Sequence, residues 1–241
     1  HPDPSVKRKS GFLTPFYKGS DNLGASISVP YFYAMSNSKD FTFKPRIYLD
    51  NDFILHTEYR EAFAKSDLIA DFSINRDENN TSSHLFAELT GKIDNKTDFE
   101  LQFQNVTNNN YLKIHDIKDY TPIIESDSSL KSFFYINRDI DEDTNLRSSV
   151  RMYENLSKKD SDKYQYIFPD FNFDKIIKIN DDYNGQFQFL SNGFQKLYET
   201  NKYETLINND FNFESYDFIL SSGIVTNYSF LLKNFNTYSE N

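Results

Sequence analysis

Leu23-Gly24-Ala25-Ser26-Ile27-Ser28-Val29-Pro30-Tyr31-Phe32-Tyr33, followed closely by Phe41-Thr42-Phe43-Lys44-Pro45-Arg46-Ile47-Tyr48-Leu49, decides the fold class. In both stretches an apolar residue stands at every second position. Successive strand residues point to opposite faces, so this period of two predicts β-strands with one apolar and one polar face. The same alternation recurs. Phe53, Leu55, Thr57 and Tyr59 stand against His56, Glu58 and Arg60, and Leu68, Ala70, Phe72 and Ile74 against Asp71, Ser73 and Asn75. Further strands are expected within residues 85–93, 99–103, 130–136, 146–152, 185–189 and 211–220.

The connections fit an antiparallel meander. Tight breaks such as Asp50-Asn51-Asp52 and Asp94-Asn95-Lys96 alternate with longer polar ones at 75–83 and 158–163. Asn and Asp suit such turns because they tolerate left-handed backbone angles. Residues 105–128, which include Pro122, break the pattern and are read as a loop or a broken strand. No stretch carries a convincing helical period, and no repeat of solenoid length is present.

Composition narrows the class further. Only 38% of the 241 residues are hydrophobic, yet 17% are aromatic, through 24 Phe and 17 Tyr without a Trp. Disordered chains are poor in aromatics, so the low mean hydropathy of −0.68 hides order rather than its absence. No apolar run approaches the roughly 20 residues of a transmembrane helix. A net charge of −10 argues against a nucleic-acid partner. The lack of cysteine removes disulfides, thiolate metal sites and Cys nucleophiles. The opening His1-Pro2-Asp3-Pro4 has neither an initiator Met nor a signal-peptide core, so the N-terminus is expected to be a cut.

A meander with one apolar face must cover that face, either with a second sheet or with lipid around a closed barrel. Alternation alone leaves a soluble sandwich and a membrane barrel both open. Enzyme chemistry finds little support: His56, His84 and His115 lie on separate predicted elements, with no nucleophile motif or metal-ligand spacing beside them. No enzyme activity, metal or cofactor is expected.

The N-terminal quarter decides between lipid and a second sheet. The stretch Arg8-Lys9-Ser10-Gly11-Phe12-Leu13-Thr14-Pro15 resembles the segment that opens the barrel in the lipopolysaccharide-assembly (LptD) family of outer-membrane proteins. Pro30-Tyr31-Phe32-Tyr33-Ala34-Met35, Asp40-Phe41-Thr42 with Pro45, and Glu58-Tyr59-Arg60 are similar to the family's next strands. Asn110 to Lys113 and Tyr164 to Pro169 resemble weaker family features. Tyr33, Asn37 and Asp50 to Asp52 depart from the family's usual Trp, Pro and Gly.

The resemblance implies an all-β fold, an antiparallel meander forming an incomplete outer-membrane β-barrel. The chain would supply about half of a barrel of about 26 strands. Residues 1–9 would be the junction from a periplasmic domain and residues 10–241 the start of the barrel. The implied function is lipopolysaccharide assembly into the outer leaflet of the bacterial outer membrane, by lateral release through the barrel seam. The alternative is a soluble β-sandwich binding surfaces or carbohydrate. The resemblance further implies lipopolysaccharide, outer-membrane lipid, an LptE-like plug lipoprotein and an LptA-like periplasmic bridge as partners.

Proline removes a donor from a β-ladder. Pro15 and Pro30 therefore weaken the first two strands and mark, by the resemblance, the lateral gate; the bland alternative is that each merely ends or bulges a strand. Arg46 and Arg60 are the candidate lumen contacts to lipid phosphate, against an ordinary role as solvated charges.

Overall fold

A computed structural model describes residues 8–20, 23–49, 52–76, 81–179, 184–199 and 202–240. Residues 1–7 of the expected junction, Asp50 and Asn51 of the first tight turn, and 77–80 of the following connection lie outside the described residues. The strands are β1 (Gly11–Phe12), β2 (Phe16–Ser20), β3 (Gly24–Ser28), β4 (Tyr31–Ala34), β5 (Lys39–Tyr48), β6 (Phe53–Ala62), β7 (Ser66–Arg76), β8 (Thr81–Asp94) and β9 (Thr97–Val106). They continue as β10 (Ser129–Asp141), β11 (Thr144–Asn155), β12 (Tyr164–Lys178), β13 (Gly185–Tyr198), β14 (Lys202–Ser215), β15 (Phe218–Ile219), β16 (Val225–Thr226) and β17 (Ser229–Ser239).

Fifteen of these form one sheet in the order β1-β4-β5, onward in sequence to β14 and then β17, with β2 on β3 and β3 on β5. The fold is thus the expected all-β antiparallel meander, as a large open sheet not closed into a barrel. Among the described residues the other sheet is the two-stranded β15–β16 ladder, too small to cover the apolar face as a sandwich requires. Turn chemistry follows the sequence. Asp94 Oδ1 accepts from Lys96 N at 2.8 Å, and Asp141 Oδ1 from Asp143 N at 2.9 Å, closing the turns after β8 and β10.

The chain divides into two compact units. In the first (residues 1–92, 100–133 and 153–163), pairing places Phe43 opposite Thr57, Thr57 opposite Phe72, and Phe72 opposite Leu85, so the apolar positions share one face. That face is the outward one: Phe72 is 42% and Leu85 48% exposed. The polar face is the buried one, and Asp40, Arg46, His56, Asp71, Ser73 and His84 are each at most 2% exposed. This inverts the polarity of a water-soluble sheet.

The stretch expected to be irregular over 105–128 begins after β9 ends at Val106, and its residues 107–128 cover the polar face. It is a loop with one helical turn at Tyr111–Ile114 and a tighter one at Ile117–Asp119. Its Tyr111, Leu112, Ile117, Ile123 and Ile124 pack with Tyr48, Ile54 and Phe86 of the sheet as a buried cluster. Leu23, expected on the apolar outer face, packs against this cluster instead. It precedes β3, and Gly24 at φ +70° turns the chain so that alternation starts one residue later.

In the second unit (residues 93–99, 134–152 and 164–241), Phe187 packs on Phe211 at 5.0 Å and on Phe213 at 4.8 Å across β13 and β14. Gly193 faces Ile207 where a Cβ would approach Leu206 O to 2.5 Å, so glycine permits the close pairing there. The strand expected to run to residue 220 ends at Ser215, where the chain leaves the sheet for the β15–β16 hairpin. β17 pairs with β14 and is exposed along its whole length.

If this outward apolar face meets hydrocarbon, Phe72→Arg lowers stability in a lipid bilayer by about 2–4 kcal/mol near the midplane. Denaturant titration of the chain in vesicles measures this; an unchanged midpoint would mean that the face meets water.

Candidate functional site

The first two ribbons of the sheet are each broken in the middle. β1 pairs with β4 through Gly11–Phe32 and Phe12–Tyr31, and β2 pairs with β3 from Phe16–Ser28 to Ser20–Gly24. Between these ladders lie Leu13 to Pro15 on one side and Val29 and Pro30 on the other, in no strand. One bond crosses the gap, from Leu13 N to Pro30 O at 2.8 Å. Pro15, in the edge ribbon, and Pro30, in the ribbon beside it, thus sit where backbone pairing lapses, and neither has an N–H to give. Pro45, by contrast, lies inside an unbroken β5–β6 register opposite Leu55.

Three of the quoted sequence stretches meet at the far end of the β4–β5 ladder from this break, where Ala34 pairs with Asp40. Arg8 Nη1 lies 2.6 Å from Asp40 Oδ2, and Arg60 Nε lies 2.9 Å from Asp40 Oδ1. Ser10 Oγ accepts from Ala34 N at 3.0 Å, tying the opening stretch to β4. The carboxylate of Asp40 is buried and clamped between two half-exposed guanidinium groups, which fixes the chain before β1 against β5 and β6. A cavity of about 460 Å³ adjoins the break, lined by Leu13, Phe16, Pro30, Lys44 and Tyr120 among others.

The two candidate arginines have different surroundings. Arg60 pairs with Asp40 and Glu58 and keeps its side chain 46% exposed. Arg46 is 2% exposed: its Nη1 donates to His115 O at 2.7 Å, and its guanidinium lies 3.7 Å from the centre of the Tyr120 ring. It holds the chain's own loop. Lys44 Nζ donates to Tyr120 O at 3.1 Å, and Gln102 and Gln104 both donate to Ile123 O, at 3.3 and 3.0 Å. A buried loop must satisfy its carbonyls, and the polar side chains of the sheet supply the donors.

Beneath the loop lies a cluster that the sequence reading placed on separate, isolated elements. The elements are separate, β6 and β8, but the two histidines are not isolated. His56 Nε2 lies 2.5 Å and His84 Nε2 2.7 Å from the same Asp71 Oδ1. His84 Nδ1 is 2.7 Å from Ser73 Oγ, which is 2.5 Å from the Tyr111 hydroxyl. Ser73 stands opposite both His56 and His84, with Asp71 two residues away on the same face, so cross-strand register assembles the group. His56, Asp71 and His84 have ligand atoms mutually within 4.8 Å, a set able to hold a metal ion. Shared parity on the polar faces was the available signal, but the relative register of β6, β7 and β8 is not written in any one strand.

Burial lowers the His115 imidazole to about 4, against the opposing pull of Asp52, and raises the Tyr111 hydroxyl, keeping that phenol a donor. No family model matches the chain. It is 33% identical over 54 residues to the LPS-assembly protein LptD of Cupriavidus pinatubonensis, and 35% identical over 54 residues to that of Ralstonia nicotianae. To the LptD of Legionella pneumophila it is 37% identical over 59 residues. These matches take in 22–24% of the chain and 7% of the length of each relative. The similarity is therefore LptD-related and partial.

Two outcomes follow for the covering loop. Arg46→Met leaves the buried His115 carbonyl without its donor, costing about 1–3 kcal/mol and speeding hydrogen exchange in residues 107–128. His115, neutral when folded, stabilises the loop fully above its unfolded value near 6.5. That contribution, on the order of 3 kcal/mol, is lost as pH falls from about 6.5 to about 4. Proteolysis of the loop across that range is expected to rise steeply in the native chain and less in His115→Gln; equal slopes would remove His115 as the cause.

Proposed function

We propose that this chain is part of an outer-membrane translocon that assembles lipopolysaccharide into the outer leaflet, releasing it sideways through the barrel seam beside Pro15 and Pro30. The observation that carries this reading is the meeting of Arg8, Asp40 and Arg60 in the same edge region whose ribbons lapse at Pro15 and Pro30. Three stretches far apart in sequence, each with an LptD-like pattern, come together in this region. The partial similarity to LptD proteins and the outward apolar face support the same reading. A soluble sandwich is not favoured, because no second sheet of adequate size covers that face among the described residues.

In this reading the bacterial outer membrane is the location, with outer-membrane lipid against Phe72 and Leu85. Lipopolysaccharide is the cargo, an LptE-like lipoprotein fills the lumen, and an LptA-like bridge delivers the cargo. The role is transport rather than catalysis. Opening the seam breaks few backbone bonds, because Pro15 and Pro30 never contributed their own. Arg60, with one side open, is the residue that meets a phosphate; Arg46 meets one only if the 107–128 loop moves away.

The test is to restore the ladder. Pro15→Thr together with Pro30→Thr, in the full chain within its native membrane, is expected to reduce severalfold the newly made lipopolysaccharide reaching the cell surface in a pulse-chase, with protein abundance unchanged. Undiminished arrival would reject the gate.

A further inference from the structure

We infer that His56, His84 and Asp71 form a binding site for a divalent transition-metal ion of the zinc type. The three side chains come from β6, β8 and β7, are at most 2% exposed, and gather both Nε2 atoms around Asp71 Oδ1, with all three ligand atoms within 4.8 Å of one another. Two imidazoles and one carboxylate are the donor set that zinc takes when three protein ligands leave a fourth position open. The existing contacts of 2.5 and 2.7 Å are those of hydrogen bonds. Tetrahedral bonds of about 2.0–2.1 Å place ligand atoms about 3.3 Å apart, so small side-chain rotations within the cluster seat the ion.

Two further observations point to a ligand rather than to a closed hydrogen-bond network. Asp71 Oδ2 is fully buried and has no hydrogen-bond partner among the described residues. Buried polar atoms are ordinarily satisfied, and a carboxylate with an idle oxygen in a dry site lacks counter-charge. A divalent ion supplies that charge and can take both oxygens. The outer contacts also fit. Metal-bound histidine usually passes its other ring proton to a neighbouring acceptor. With His84 bound through Nε2, its Nδ1–H donates to Ser73 Oγ, whose second lone pair accepts from the Tyr111 hydroxyl. The ion would thereby tie three strands to the loop that covers them.

This site is independent of the transport reading and fails or stands separately from it. The full chain, folded in detergent and stripped with chelator, is titrated with Zn2+ and with Co2+. Expected are one ion per chain by elemental analysis, visible absorption bands of low-symmetry Co2+, and slower proteolysis of residues 107–128 in the loaded form. His56→Gln with His84→Gln abolishes uptake. Ser73→Ala, which removes no ligand, weakens it by about 10–100-fold. Circular dichroism and heat-modifiable gel mobility verify that each variant folds. If the double variant does not fold, the native chain and Ser73→Ala decide. Absence of stoichiometric uptake by the folded native chain, or uptake indifferent to these substitutions, overturns the site and leaves a hydrogen-bonded cluster.

Discussion

Burial of the sheet's polar face is the constraint from which the first unit follows. Strands that alternate strictly must commit one face to a dry environment, and here Asp40, Arg46, His56, Asp71 and His84 are all on the enclosed side. Each such group costs free energy unless it is bonded. The covering loop meets that demand in the reverse sense: it brings carbonyls, at His115, Tyr120 and Ile123, to the donors of Arg46, Lys44, Gln102 and Gln104. Loop and sheet face are therefore one structure, and neither is stable in this form without the other.

The same constraint explains why the hydrophobic cluster is small and local. Tyr111, Leu112, Ile117 and Ile123 lie on the loop, and their partners Tyr48, Ile54 and Phe86 are the few large apolar side chains on an otherwise polar face. Phe72 and Leu85 point the other way. In water this arrangement would leave hydrocarbon exposed; against lipid it costs nothing.

At the free edge a second constraint acts. Backbone pairing holds a sheet together, and Pro15 and Pro30, in adjacent ribbons but not opposite one another, lie in a lapse between two intact ladders. The Arg8–Asp40–Arg60 clamp holds the chain in the same edge region.

Alternation in 23–49, 53–60 and 68–75 was sufficient to determine the strands, their antiparallel order and which residues share a face, because the period of two is a local property of the chain. The proline breaks were also legible, since a missing N–H acts at its own position. What the sequence by itself left undecided was anything that depends on register between strands or on where a long connection goes. Leu23 turned inward because of a backbone angle at Gly24, not its hydrophobicity. Arg46 looked like a free lumen charge until the loop from 107 to 128 folded onto it. His56, Asp71 and His84, separated by 15 and 13 residues, form one centre only through cross-strand pairing. Pairing distances are set by turn lengths and by the fit of whole faces, and these exist only in the folded sheet.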